Sequence, residues 1–453
     1  MASRSSSRPW TPSARALPLF LATAFFPLAC RTGTAPEPRP AATSPAATTT
    51  TSASRPSADP TAAPPHAAAG ALRQVLDLRV HSATLWHLQG GAVLLEHAPD
   101  LFALLQHDAV QMLPHLARGL SPDDGDDGTE AHGSVQAIQG RWPDALWIVW
   151  RDHDTQSAEY NMWYQRLFRH RRDRWEKVHE TRHDPSGNTL YRGLWEQPAG
   201  CLVGLISDDR EIPSAWQAEV NALDCPGQPA PRSSFKPAPQ PDVAIAATLG
   251  FASGHVLVLE QPTRPKNGAS LPPRLAVSRP GPPNRTEIPL PLSGELDLSL
   301  QPSRLTSCQM LGPTPDNVFI LGNITRGTER LPLLLHFDGA SFTSLPTPPT
   351  PHIGEADLAE DGTLVLLGSP PASRPEARSI WALPRGGTWT ERPMPVHPEL
   401  GEPYRPWSLA AHSLEDLWVV GYHEKQGGKD RHLALFHSRP LTSAAPGAAA
   451  AAP

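Results

Sequence analysis

Several features that would indicate a function directly are missing from this 453-residue chain. It has no G-x-S-x-G nucleophile motif and no phosphate-binding loop, and its H-E-x-x-H sequence, His179 to His183, falls where we expect a strand or loop rather than the helix of a zinc site. Its cysteines are few, and they lack the close C-x-x-C spacing of a zinc site: Cys30, Cys201, Cys225 and Cys308. The formal net charge of −6 is too small to indicate a nucleic-acid partner. We therefore expect no metal and no cofactor.

Aromatic residues are also scarce, at 6%, so the chain can build a core but not a rich one. Proline, in contrast, is abundant, with 54 residues spread along the whole chain. An interior proline removes a helical hydrogen bond and clashes with the preceding turn, so long helices are excluded. The composition favours short strands joined by many turns.

The first thirty residues predict export. Three arginines, Arg4, Arg8 and Arg15, precede an apolar stretch over residues 16–29. That stretch is too short for a membrane span, which needs about 20 residues, and has the length of the apolar region of a secretory signal. We expect residues 1–29 to be this signal.

The sequence "PLAC", Pro27 to Cys30, resembles the lipobox of bacterial lipoproteins, although Pro27 stands where leucine is usual. The resemblance implies that Cys30 carries the lipid and becomes the new N-terminus. Arg31 differs from the aspartate that retains some lipoproteins in the inner membrane, so the resemblance favours the outer membrane. The alternatives are an ordinary secretory signal cut near Ala29, or an incidental cysteine.

Residues 30–70 consist mostly of Ala, Thr, Ser and Pro. Such a segment cannot bury enough apolar surface to offset its ordering entropy, and its prolines keep it extended. We expect a disordered tether here, and a second disordered segment in the alanine-rich tail over 441–453.

Between residues 71 and 440 a short apolar run recurs at a mean interval of about 54 residues. Each run is bounded by Gly, Pro or Asp, as expected for a strand that is buried on both faces. The seven copies begin at Val93, Leu146, Leu202, Val256, Val318, Leu364 and Leu417.

Further strand-like segments flank the better-preserved runs, which predicts units of about four antiparallel strands. Repeated four-stranded units of this size are typical of a β-propeller, so the predicted fold is all-β with seven blades. The last unit lacks an outer strand, and the first is preceded by a spare apolar run at 72–80. We expect this N-terminal strand to complete the seventh blade. The alternatives are a non-cyclic stack of sheets or six blades with one degenerate unit.

The pattern P-D-x-hhhh-G followed by D-G-x-x-F/W, in which h is apolar, resembles kelch-like propellers. The resemblance covers most of residues 83–438 and is loose in the second and third units. The paired glycines of kelch repeats are reduced here to one per unit, for example Gly322 or Gly421. The resemblance implies a propeller rather than a particular activity.

Cys201 and Cys225 flank two candidate strands of the third unit, and a disulfide between them is plausible in an exported protein. The alternative is a pair of buried thiols. Cys308 is expected to be a buried, unpaired thiol.

Two loops are candidates for ligand binding. One contains Asp152, His153 and Asp154 just after a core strand, where an acid or base could act. The other lies in the basic stretch 163–183, whose arginines could hold an anionic glycan or lipid: Arg171, Arg172 and Arg174. Both also fit ordinary solvated turns. His179 and His183 are too far apart on a strand to share a metal, and the acidic stretch 121–130 lacks the spacing of a calcium loop.

We expect an extracytoplasmic propeller, lipid-anchored to the cell envelope, that binds an envelope protein or glycan without catalysis. The alternatives are a polysaccharide hydrolase or lyase and a purely structural lipoprotein. An enzyme should gather carboxylates, His or Tyr from several blades at one mouth of the ring, whereas a binder should expose an apolar or aromatic patch.

Overall fold

The computed structural model describes residues 71–439 apart from gaps at 79–81, 98–101, 107–108, 114–132, 144, 154–162, 172–173, 185–186, 198–199, 209–216, 226–242, 263–271, 280–284, 293–303, 327–328, 370–378 and 425–430. The predicted signal, the tether, Cys30, the 121–130 loop and the 441–453 tail lie outside the described residues. Within the described part there is no helix long and apolar enough to cross a membrane.

The described residues form twenty-seven strands and no helix, as the proline content predicts. Blades 1 to 3 contain β2 (Ala83–His87), β3 (Val93–His97), β4 (Phe102–Gln106) and β5 (Ala109–Met112); β6 (Gly133–Arg141), β7 (Ala145–His153), β8 (Trp163–Arg171) and β9 (Arg174–Asp184); and β10 (Gly187–Gln197), β11 (Cys201–Asp208) and β12 (Gln217–Asp224).

The same antiparallel order continues through the second half of the chain. Blades 4 to 7 contain β13 (Val243–Gly250), β14 (Val256–Pro262), β15 (Arg274–Ser278) and β16 (Arg285–Pro289); β17 (Arg304–Thr314), β18 (Asn317–Arg326), β19 (Glu329–Phe337) and β20 (Phe342–Ser344); β21 (His352–Leu358), β22 (Leu364–Ser369), β23 (Ser379–Leu383) and β24 (Thr390–Arg392); and β25 (Arg405–Ser413), β26 (Asp416–Glu424), β27 (Arg431–His437) and β1 (Arg73–Leu78).

The seven-bladed propeller predicted from the repeat is confirmed. Six blades show four strands, and the described residues give blade 3 three strands. Blades 2 and 3 share one continuous sheet, because β9 and β10 pair at His183–Asn188 and Asp184–Gly187.

The N-terminal strand closes the ring, as predicted. β1 pairs antiparallel with β27 and forms the outer strand of blade 7, with Arg73 opposite His437 and Leu78 opposite Leu433. The chain therefore joins its two ends within one sheet, and blade 7 cannot separate from blade 1 without breaking this pairing.

Each predicted apolar run is the second strand of a blade. In blade 7, Leu417, Trp418, Val419 and Val420 have no exposed surface. Leu417 and Val419 pack against blade 6, whereas Trp418 and Val420 pack against blade 1. Because alternate side chains point to opposite faces of a strand, a run of four apolar residues is what a strand between two neighbours requires.

A histidine on the third strand repeats in three blades, opposite the apolar run. His437 Nε2 lies 2.9 Å from Asp416 Oδ1, and His336 Nε2 lies 2.8 Å from Asn317 Oδ1. In blade 2, His170 Nδ1 lies 2.8 Å from the Pro143 carbonyl oxygen. Each contact ties the third strand to the start of the second, and in blades 5 and 7 it accounts for the Asn or Asp that precedes the run.

Cys201 at the start of β11 and Cys225 just after β12 form a disulfide in the structure, while Cys308 is a buried free thiol. Burial raises the pKa of the Cys308 thiol to about 12.

Truncating a buried side chain on the closing strand should weaken the whole ring. Leu78 is buried among side chains of blades 7 and 1. We expect Leu78→Ala to lower the free energy of unfolding by about 2–4 kcal/mol, measured by urea denaturation. Gln74→Ala, an exposed position on the same strand, should change it by less than about 0.5 kcal/mol. Equal effects of the two variants would contradict closure through β1.

Candidate functional site

A cavity of about 1050 Å³ opens at one end of the ring. We call this end the AB face, because it carries the turns between the first and second strands of every blade, and the opposite end the BC face. The cavity starts at the inner strands of blades 1, 2, 5 and 6 and extends outward between blades 5 and 6. We call it the AB groove.

At the inner end of the AB groove, three inner strands bring together His87, Asp357 and His412. His87 Nδ1 lies 3.4 Å from Asp357 Oδ2. The His87 and His412 rings meet edge to face, with centroids 4.4 Å apart. The three residues come from blades 1, 6 and 7, so only the closed ring assembles them.

Asp357 is 2% exposed and fully engaged. Its Oδ2 accepts a hydrogen bond from the Ala411 N–H at 2.9 Å, and its Oδ1 accepts one from the Leu358 N–H at 2.9 Å. Hydrogen bonds to a buried carboxylate favour its charged form. Asp357 therefore joins blade 6 to blade 7 and orients His87, whose Nε2 is left on the side of the ring away from the carboxylate.

His412 is a neutral member of this cluster. Burial lowers the pKa of His412, and the neighbouring His87 lowers it further. Its Nδ1 is enclosed and has no hydrogen-bond partner among the described residues. His412 thus packs against His87 as a neutral ring.

The outer part of the AB groove has an apolar floor and an acidic rim. Half-buried Phe319, Leu345 and Leu358 form the floor. The exposed rim residues lie in the turns of blades 5 and 6: Asp316, Glu360, Asp361 and Arg385. Gly362 has φ +83°, a conformation that side chains disfavour, and it lets the blade 6 turn bend back toward the ring.

The opposite face holds one unusual carboxyl group. Glu96, near the end of β3, accepts a hydrogen bond from Trp86 Nε1 at 3.0 Å. Burial raises the pKa of Glu96 to about 7, and the hydrogen bonds from the Trp86 side chain and the Val135 backbone oppose this rise. Glu96 does not line the AB groove, so we regard it as a structural group.

The loop residues singled out from the sequence do not form one site. Asp152 and His153 end β7 at the BC face, and Asp154 lies outside the described residues. Arg171 and Arg174 flank the outer hairpin of blade 2 at the AB face, with Arg172 outside the described part. Arg174 is exposed and pairs with Glu176 at 3.0 Å. The two groups therefore stand at opposite ends of blade 2.

The structure describes no group of three or more His, Cys, Asp or Glu side chains that could hold a metal ion. His179 lies on β9 and its Nδ1 contacts the Tyr191 hydroxyl.

Sequence reasoning missed His87, Asp357 and His412. Each stands five to seven residues before the apolar run of its own blade, at Val93, Leu364 and Leu417. Aligning the repeats on these runs would have placed all three at the same end of the inner strands. Large apolar side chains are exposed at three described positions only: Met112, Val396 and Leu400.

No protein-family model matches the chain, and no curated protein matches it in sequence. Solved structures similar to it include an α-L-arabinanase from Penicillium chrysogenum bound to arabinobiose (13% identity, TM-score 0.37, 65% of this chain and 90% of that one). A protein of unknown function from Dyadobacter fermentans has 11% identity and a TM-score of 0.41, over 81% of this chain and 99% of that one. A GH93 α-L-arabinofuranosidase from Fusarium graminearum, also with arabinobiose, has 11% identity and a TM-score of 0.35, over 64% and 89%. At these values the likenesses say nothing about what this chain binds.

Glu96 should make stability depend on pH. Its pKa is raised from 4.5 to about 7, so the folded protein holds this proton more tightly than the unfolded chain. The stabilisation is complete below pH 4.5 and is lost as the pH rises to about 7. We expect Glu96→Gln to remove this loss, so that its free energy of unfolding exceeds that of wild type by an amount that grows between pH 5 and 8. The gain should reach roughly 1–3 kcal/mol, less than the full pKa shift implies, because Glu96 is partly exposed to solvent. A constant difference across urea denaturations at these pH values would contradict the assignment.

Asp357 should matter for stability more than an exposed aspartate. Asp357→Ala leaves the buried Ala411 N–H without its acceptor, and we expect a loss of about 1–3 kcal/mol in thermal or urea unfolding. Asp77→Ala, on the exposed side of β1, is the matched control and should be close to neutral. If the two variants unfold alike, Asp357 does not join blades 6 and 7.

Proposed function

We propose that this protein is an envelope-tethered propeller that binds an extended segment of a protein or glycan in the AB groove. The observation that carries the proposal is the groove itself. It opens on one face and combines a polar inner end with an apolar floor. Pockets of this kind, lined by apolar side chains with a few fixed polar groups, are typical binding sites.

The tether supports the same proposal. Cys30 stands in the lipobox-like sequence, and the 40 residues from Arg31 to Gly70 can span at most roughly 120–140 Å when extended. We place the lipid on Cys30 and the propeller outside the cytoplasm at the envelope, with the outer membrane favoured.

Catalysis is the second candidate, because His87 and Asp357 have the arrangement of a histidine held by a carboxylate. A glycoside hydrolase needs two carboxyl groups that act on the substrate. Asp357 is already committed to two backbone N–H groups, and the other carboxylates of the groove are exposed on its rim. Binding therefore fits the groove better than cleavage.

The proposal is tested by membrane fractionation and crosslinking of the native protein. We expect wild type in the membrane fraction with a captured partner, and Cys30→Ala released from it, because the lipid anchor is gone. Unchanged fractionation of Cys30→Ala would overturn the anchor.

A groove variant tests the binding site separately. Thr314 lines the AB groove and is half-buried, so Thr314→Trp should fill the groove without removing a core side chain. We expect this variant to stay in the membrane and lose the partner, with an unchanged unfolding midpoint. Thr343→Trp, at an exposed position on β20, is the control and should keep the partner. Equal capture by both variants would overturn binding in the groove.

A further inference from the structure

The charge of the AB groove selects among ligands. Its lining includes one arginine, Arg385, and four carboxylates: Asp316, Asp357, Glu360 and Asp361. These five side chains give the lining a formal charge of −3. An acidic cleft repels an anionic polymer and attracts a cationic one.

The position of these charges matters as much as their number. Asp357 is buried and its oxygens already accept hydrogen bonds, so it adds to the electrostatic field of the groove but offers no free oxygen to a ligand. Asp316, Glu360 and Asp361 are exposed on the rim, where a cation can reach them without losing all of its hydration. The rim carboxylates flank the two turns, of blades 5 and 6, between which the groove runs.

The floor between these turns is aromatic and aliphatic. The Phe319 ring is half-buried, with the His336 ring tilted against it at a centroid distance of 5.1 Å. A lysine or arginine side chain can lie over an aromatic face while its charged end meets carboxylates. Half-buried Leu345 and Leu358 continue the floor and offer contacts to an apolar neighbour.

We propose that the AB groove binds a basic peptide segment, with Lys or Arg side chains over Phe319 and among the rim carboxylates, and apolar side chains on Leu345 and Leu358. This inference rests on the proposed function and names its ligand class. A peptide is favoured over a glycan because the groove combines an apolar floor with a charged rim, and the side chains of an extended peptide, which point alternately to opposite sides, can meet both.

The inference is tested by fluorescence polarisation with the purified full-length protein and a fluorescein-labelled Lys-Leu-Lys-Leu-Lys peptide. Glu-Leu-Glu-Leu-Glu is the charge-reversed probe, and a glucosamine hexamer and its N-acetylated form are the glycan probes. We expect the basic peptide to bind, the acidic peptide not to bind, and affinity to fall with added salt.

Two double variants isolate the rim. Glu360→Gln with Asp361→Asn should weaken binding of the basic peptide by roughly 3- to 30-fold, as expected for losing two exposed ion pairs. The amide that replaces the Asp361 carboxylate keeps an oxygen for the Thr363 N–H, which donates to Asp361 Oδ1 at 2.8 Å. Glu399→Gln with Glu402→Gln removes the same charge from the exposed loop at the BC face and should change affinity by less than about 2-fold.

Phe319→Leu keeps the floor apolar but removes the aromatic face. It should weaken binding of the basic peptide without affecting the unfolding midpoint. Equal binding of the basic peptide by both double variants, or binding of the acidic peptide, would overturn the inference. Binding of a glycan probe that Thr314→Trp abolishes, with no binding of the basic peptide, would also overturn it while leaving the proposed function standing. If Thr314→Trp captures the partner as well as wild type does, the proposed function is overturned instead.

Discussion

Each blade can bury its second strand only between two neighbouring blades, and the rest of the structure depends on this constraint. Leu417 to Val420 lose all exposed surface because blade 6 covers one face of β26 and blade 1 covers the other. A blade alone would leave both apolar faces in water, so the units are stable only as a closed ring. Pairing β1 with β27 supplies the closure by joining the two ends of the domain in one sheet.

The closed ring surrounds a central channel, and the innermost strand of each blade has an unpaired edge along it. Backbone N–H groups on that edge need acceptors, since a buried orphan donor is costly. Polar side chains of neighbouring blades meet this need: Ser408 Oγ accepts from Leu85 N–H at 3.0 Å, and Asn323 Oδ1 accepts from Ile353 N–H at 2.9 Å. Asp357 belongs to the same series through Ala411. The inner end of the AB groove is therefore an interblade contact that also faces a cavity.

The sequence predicted those parts of the fold that leave a local trace. A strand that is buried on both faces requires consecutive apolar residues, so the run starting at Leu417 could be recognised in the sequence and counted with the other six. The missing outer strand of the last unit likewise predicted the role of residues 72–80. The hairpin position of Arg171 and Arg174 followed from the strands on either side.

The groove left no such trace. His87 and Asp357 are 270 residues apart, and neither stands in a motif. Their proximity follows from the number of blades, the shift of register in the inner strands and the closure of the ring, none of which a window of sequence contains. The "RDHD" and arginine loops attracted notice because their charges are adjacent in sequence, whereas the structure puts them at opposite ends of blade 2.

The direction of β1 connects the tether to the groove. Arg73 pairs with His437 near the AB face, so the chain reaches the ring on the same face that carries the AB groove. Blade 7 adjoins blade 6, and the groove runs between blades 6 and 5. In the proposed function, a segment bound in the groove is held on the side from which the chain enters the ring. If Cys30 carries the lipid as proposed, the 40 residues from Arg31 to Gly70 set the distance between the membrane and the groove that a partner can occupy.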